Sequence, residues 1–278
     1  VAAPPPPALP TAPPWWKRLR AEPSVPVRLA LGAAMVGVVF AIWWFVTRGE
    51  PEFRMVSPNR ITSPGETFES LGRLFERHLG DAVIATLQRV FTGVGLAALV
   101  GITLGILAGS NRGVAAALAP IVIFLRSVPM GAMVPLTLLL CGGVGEKQKA
   151  IFLFLAIVPF VFSDSVKAVS LVPERYVETA LTLGASKRQI IWKVLVPLAL
   201  PDIITSLRFQ VGLALGYITL TEAIDTPTGI GQLLDSSVHP GPYEHLYLLL
   251  FVIALLAFGI DLVLRTLQRG AFAWRSDL

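Results

Sequence analysis

The chain has 278 residues, of which 54% are hydrophobic and 15% charged, against roughly 25% charged in a typical soluble domain. Its mean hydropathy is +0.69, and in so apolar a chain the formal charge of +5 points to basic loops beside a membrane rather than to nucleic acid. The lone Cys141 excludes a disulfide framework or a Cys-based metal centre, and His78, His239 and His245 show no metal-ligand spacing.

Residues 1–27 begin with a Pro/Ala-rich stretch, Pro4 to Pro7 in succession, which is extended and builds no core. Lys17, Arg18 and Arg20, with Arg28 just beyond, form a basic cluster, and the whole segment reads as a cytoplasmic tail. Six apolar runs follow, near 28–47, 83–110, 114–141, 150–170, 194–222 and 246–267. A membrane span takes about 20 mostly apolar residues, and 29–46 and 90–111 carry no charge at all. The first run is long for a signal peptide and lacks a small-x-small cleavage site, so it is expected to be retained as a helix. The expected fold is all-α and polytopic, with a membrane domain over 28–270 and a short cytoplasmic tail over 271–278.

Between the first two runs, Ser63-Pro64-Gly65-Glu66 has the form of a helix start, with Ser as N-cap and Pro at the first helical position. Phe68, Leu71, Leu74, Phe75 and Leu79 then share one face. This is either an amphipathic helix at the membrane surface or the first turns of a long second span. In the second span Gly101, Gly105 and Gly109 recur every four residues, a small ridge that admits close helix contact; Gly212 and Gly216 repeat it in the fifth span. Both are expected to pack helices, within the subunit or across a dimer.

Several charges interrupt or border the later spans: Arg126, Asp164, Lys167, Asp202, Arg208 and Asp261. Charges at such depth are costly and face a bundle interior or a wet cavity. Counted along a straight third span from Val114, Arg126 lies ~18 Å deep at 1.5 Å per residue, with Pro129 and Pro135 following, and broken helices line many translocation paths. Arg126 is therefore expected either to meet an anionic substrate or to pair with Asp164 or Glu222. Asp261 and Arg265, four apart, are expected to pair. Arg208 and Asp202 border the cytoplasmic end of the fifth span, as gate, interface or binding residues, and Glu222 closes it as a structural or gating residue.

Loop charge sets the orientation. The 171–193 loop holds Arg175, Lys187, Arg188 and Lys193, whereas the loop between the last two spans has Asp225, Asp235 and Glu244 but no Lys or Arg. Both termini and the 171–193 loop are expected in the cytoplasm. The 48–82 loop dissents with five Arg, although six acidic residues accompany them.

The 171–193 loop carries the densest pattern in the chain. Pro173 is expected to open a helix with Glu174 at its positive end, Val177, Ala180, Leu181 and Gly184 to form one narrow face, and Gly184 to close the helix in the left-handed region. Ser186 with Gln189 makes a capping box for a second helix, running into the fifth span near Pro197. The product is a protruding helical hairpin with a face suited to a groove on another protein.

This segment resembles the cytoplasmic signature of ABC-importer permeases: Glu-Ala-Ala, three residues, Gly, nine residues, Ile-x-Leu-Pro. Glu178, Ala180, Gly184 and Pro197 match in identity and spacing, Thr179 replaces the middle Ala, and Val194 and Val196 replace Ile and Leu. Within that family the chain is most similar to the nitrate/sulfonate/taurine/bicarbonate branch. The similarity rests on Leu125-Arg126-Ser127-Val128-Pro129 with Pro135 and Gly143-Val144-Gly145-Glu146, on Val172 to Glu178, and on Leu183 to Ser186 through Leu207-Arg208. The branch often has a second Pro near Ser127 and an aromatic near Met133, and this chain departs at both.

The resemblance implies a type I ABC importer permease fold in the bacterial plasma (inner) membrane. The coupling segment, Glu178, Ala180, Leu181, Gly184, Ala185, Ser186 and Pro197, would lie in a cleft of the ATPase subunit. It also implies a second permease copy, two cytoplasmic ATPase subunits, an external solute-binding protein and a small anionic solute. Candidate passage residues are Arg126, Ser127, Pro129, Met133, Arg208 and Glu222. No G-x-x-x-x-G-K-[ST] occurs, so the chain is expected to be no enzyme and to bind no cofactor, with ATP and Mg on the partner ATPase. An ion- or proton-coupled secondary transporter is the alternative, though no repeat relates the two halves and the hairpin would be unexplained. No His, Cys or carboxylate cluster has catalytic or metal-binding spacing.

Overall fold

The computed structural model describes residues 23–50, 54–57, 60–224, 226–238 and 243–275. The Pro/Ala-rich stretch, Lys17, Arg18, Arg20, Asp225, His239 and residues 276–278 lie outside them. The chain forms two compact units, residues 1–65 and 66–278. In the first, α1 (Val25–Thr47) is apolar all round and has almost no buried face of its own. Thr47 closes its last turn on the Trp43 carbonyl at 2.7 Å, and the Trp43 indole donates to the Thr62 carbonyl at 2.8 Å.

Two short helices follow, α2 (Pro64–Glu69) and α3 (Leu71–Glu76). The start at Pro64 is where the sequence places it. The stretch beyond is not the first turns of the second span, because left-handed His78 (φ 60°) separates α3 from α4 (Leu79–Ser110). Leu74 and Leu79 are buried while Phe68 and Phe75 stay exposed.

The second unit is a helical bundle built on the pair α4 and α7 (Glu146–Ser170). Between helices in lipid there is little hydrophobic drive, so close approach of backbones decides the packing. A Cβ added to Gly101 would lie 2.9 Å from Val161, and one on Gly109 would lie 2.7 Å from Val169; on Gly93 and Gly105 it would run into Leu153 and Ser165. With buried Ala97, one face of α4 is small at every fourth position from Gly93 to Gly105, and α7 lies in that trough. Gly212 and Gly216 of α10 (Val196–Glu222) differ: an added Cβ there meets nothing, so they pack against no helix among the described residues.

The third apolar run is not one straight helix. It divides into α5 (Arg112–Ser127) and α6 (Met130–Cys141), bent by 104°. Asn111 caps α5 by accepting from the Gly113 amide at 2.9 Å. Val128 (ψ 126°) and Pro129 (ψ 127°) are extended, because a residue before proline is driven out of the helical region. Pro135 leaves α6 unbroken. Among the described residues five helices are long and apolar enough to cross a membrane, or six if the bent pair counts as one span. The last of them is α12 (Tyr243–Ala271), preceded by α11 (Ile230–Val238), a helix the sequence did not announce.

Candidate functional site

The 171–193 hairpin is built from local signals. Pro173 is the residue before α8 (Glu174–Thr182) rather than its first, its carbonyl accepting from the Tyr176 amide at 3.1 Å. At the other end the Ala185 amide donates to Ala180 and the Gly184 amide to Leu181, both at 2.9 Å. With Gly184 at φ +77°, these two bonds make a Schellman stop. The Ser186–Gln189 capping box forms in both directions, at 2.8 and 3.4 Å, and starts α9 (Lys187–Ile190). A π-helical turn, Ile191–Leu195, joins α9 to α10.

Glu178, Gly184, Ser186 and Pro197 are exposed and Ala180 and Ala185 half-buried. Leu183 at the tip is 83% exposed. The expected single small face is divided. Ala180 and Pro197 line a 510 Å³ depression with Tyr176, Leu183 and Trp274, whereas Val177 and Leu181 line another of 650 Å³ with Asn111 and Ile190.

At the opposite end of the bundle lies a polar cluster. Arg89 of α4, 6% exposed, grips Glu146 with Nε and Nη2 at 2.8 and 2.6 Å. Its Nη1 reaches Glu222 at 2.8 Å and the Thr228 carbonyl at 2.6 Å. Glu222, fully buried, also accepts from Thr86 Oγ1 and from the Gly231 amide, each at 2.9 Å. A Cβ on Gly229 or Gly231 would sit 2.6 Å from the Glu222 side chain, so both glycines are dictated by its approach. The loop before α11 is thereby tied to α4, α7 and α10.

A third polar site lies toward the hairpin end, where α7 and α10 enclose a cleft of 440 Å³. Asp164 accepts from Ser206 Oγ and, at 3.3 Å, from Gln210 Nε2. Among the described residues no group of three or more His, Cys, Asp and Glu side chains gathers to hold a metal ion.

Residues 101–272 match the family model described as the binding-protein-dependent transport system inner membrane component. The chain is 30% identical to the taurine transport system permease protein TauC of Escherichia coli (strain K12), over 94% of this chain and 96% of that protein. This chain belongs to that family. The permease is also 28% identical to the nitrate import permease protein NrtB of Synechocystis sp. (strain ATCC 27184 / PCC 6803 / Kazusa), covering 82% and 84% of the two chains. It is 28% identical to that organism's bicarbonate transport system permease protein CmpB, covering 92% and 91%. Its fold is that of a chain in inward-facing structures of the MetNI methionine ABC transporter, with a TM-score of 0.62 over 73% of this chain and 97% of that chain at 22% identity. It is a membrane-spanning ABC importer subunit, a transport component, which sets aside the secondary-transporter reading.

Four expected placements in the permease need correction. Arg126 pairs with neither Asp164 nor Glu222, whose acceptors are engaged elsewhere; it is exposed in the last turn of α5, 4.9 Å over the Phe160 ring. Helix α5 holds Arg126 on the same helix as Val114, from which its depth is counted, and the corner at Val128-Pro129 follows it. Met133 is 4% exposed in the core and Glu222 is sealed by its partners, so neither lines an open passage within this subunit. Asp261 pairs not with Arg265 but with Arg208, at 2.7 Å. Arg208 also donates to Gln268 at 2.9 Å, which ties α10 to α12. Ser127 and Pro129 are exposed beside Arg126 at the corner. Asp202 pairs with Arg275 at 3.0 Å.

Proposed function

We propose that two copies of this permease, with two ATPase subunits and an external solute-binding protein, import a small anion by alternating access. The observation that carries the coupling is the hairpin, a rigidly capped turn that leaves Leu183 83% exposed at its tip. An apolar tip of this kind, held by a Schellman stop and a capping box, suits a cleft on a partner. Under this reading α8, α9 and both termini face the cytoplasm, residues 1–27 and 271–278 are tails, and 28–270 is the membrane domain. ATP and Mg belong to the ATPase, and this chain binds no cofactor.

The anionic class is supported by relatives named for taurine, nitrate and bicarbonate and by Arg126, a cation free of carboxylate partners among the described residues. Gly212 and Gly216, open on this subunit, suit close approach by the second copy. Reconstitution of the complex in liposomes tests the reading. ATP-dependent uptake of labelled taurine, nitrate or bicarbonate is expected to require the binding protein, and absence of uptake for all three would overturn it.

A further inference from the structure

The 650 Å³ groove beside Val177 and Leu181 has a floor and a rim of opposite character. Leu107 of α4, Val114 of α5 and Ile191 and Leu195 of the π-helical turn make the floor apolar. The rim carries Arg112 and Lys187, both exposed. No carboxylate lines the groove, and none pairs with either cation among the described residues. Asn111 adds a third donor. Its Oδ1 accepts from the Gly113 amide at 2.9 Å, which fixes the side-chain orientation and leaves the Nδ2 hydrogens without a partner among the described residues. Ser110, the remaining polar side chain there, is already bonded to the Ile106 carbonyl at 2.7 Å.

An apolar floor beneath two unpaired cations and an amide donor calls for an amphipathic anion with several acceptor oxygens. A free inorganic phosphate meets the rim and leaves the floor in water. The phosphodiester of an anionic phospholipid meets both, and basic pockets between helices at the cytoplasmic side take such headgroups. The side of α4 turned away from α7 supplies a path for an acyl chain, since Leu96, Leu99, Val100 and Leu104 are exposed and lead to Leu107. From Leu96 to Leu107 the helix rises ~16 Å at 1.5 Å per residue. That is about half of a hydrocarbon core ~30 Å thick, the depth of one leaflet. We infer that this groove binds an anionic phospholipid, with its phosphate between Arg112 and Lys187 and one acyl chain along α4. The two cations belong to different elements, the start of α5 and the hairpin, so the headgroup braces the hairpin against the bundle. Placing this end at the cytoplasmic leaflet rests on the importer reading, whereas the binding itself does not depend on the solute.

The test uses the full-length permease with its ATPase subunits, delipidated in detergent, and native mass spectrometry with dioleoyl phosphatidylglycerol or phosphatidylcholine as probe. Phosphatidylglycerol is expected to bind at least about tenfold more tightly than phosphatidylcholine. Each cation near a membrane surface contributes about fivefold, so Arg112→Gln and Lys187→Gln should each lower phosphatidylglycerol affinity by about that factor and the double variant by about 25-fold. Both side chains are exposed and unpaired, so the variants are expected to assemble. Inorganic phosphate and glycerophosphoglycerol, which lack acyl chains, should not compete. Lys187 should react with an amine reagent in the delipidated complex and be protected once phosphatidylglycerol is added. Equal affinity for the two lipids, wild-type affinity in the double variant, or competition by the chainless phosphates overturns the proposal. So does a Lys187 already protected before lipid is added, which would assign the groove to the ATPase or to the second copy. Failure of anion uptake by the liposome complex sinks the importer reading and leaves these binding results untouched.

Discussion

The cluster around Glu222 and the cleft around Asp164 sit at opposite ends of the same bundle, and both place a carboxylate between α7 and α10 or their ends. Glu222 is fully enclosed, with a guanidinium, a hydroxyl and a backbone amide on its two oxygens. Asp164 is half-buried, with only a hydroxyl and an amide group, beside an orphaned amide oxygen. A polar network satisfied throughout fixes one conformation, and one left short of donors is where a ligand or water completes the structure. Charge inside a membrane bundle is therefore not of one kind.

The largest effect is expected from breaking the closed cluster. Glu222→Leu takes one acceptor from Arg89, which keeps Glu146, and leaves Thr86 Oγ1 and the Gly231 amide without theirs, and each buried group left unsatisfied costs about 1–3 kcal/mol. The variant should assemble poorly or melt far earlier in detergent, and Arg89→Met in the same chain should restore part of the loss. A wild-type melting temperature for Glu222→Leu alone would mean that the cluster is no latch. Next, Gly105→Leu drives a side chain into Ser165 of α7, with an overpacking cost of about 1–3 kcal/mol. It should lower stability without changing the solute preferred, and altered selectivity at full stability would contradict a pure packing seam.

Gly184→Val should matter little to stability, because the residue is exposed and only its left-handed backbone is strained, at roughly 1–2 kcal/mol. It is instead expected to abolish solute-stimulated ATP hydrolysis by the reconstituted complex, and normal stimulation would remove the hairpin from coupling. The smallest change in stability is expected from Arg126→Gln. An exposed cation–π contact contributes about 0.5–1 kcal/mol, so assembly should be near normal while anion uptake falls. Unchanged uptake would exclude Arg126 from the passage.

What could be read in advance follows from how local each device is. The hairpin was legible because its cap and its stop are written within four residues of where they act. The apolar runs likewise fixed the spans. The Glu222 cluster was not legible, since Arg89 is 133 positions from Glu222 and 57 from Glu146. Two signals pointed to it all the same: Arg89 is a charge inside the second apolar run, and Gly229-Ile230-Gly231 follows Glu222 closely. The corner at Pro129 was visible as a proline but drawn as a straight span, because hydropathy registers composition and not direction. Met133, beyond that corner, was misplaced for the same reason, whereas Arg126, before it, lacked only its expected carboxylate partner.

The trough of small residues on α4 has a mechanical consequence. Two backbones meshed along three full repeats, from Gly93 past Gly105, cannot slide without lifting side chains such as Val161 out of contact. Packed seams of this sort are bistable rather than continuously deformable. Alternating access in this subunit then leaves α4 and α7 as one strut, with compliance concentrated where helical hydrogen bonding is already irregular. Those places are the elbow at Val128-Pro129 and the π-helical turn at Ile191–Leu195. The second joins the hairpin to α10, so under the coupling role proposed for the hairpin a push on its tip reaches α10 through that turn.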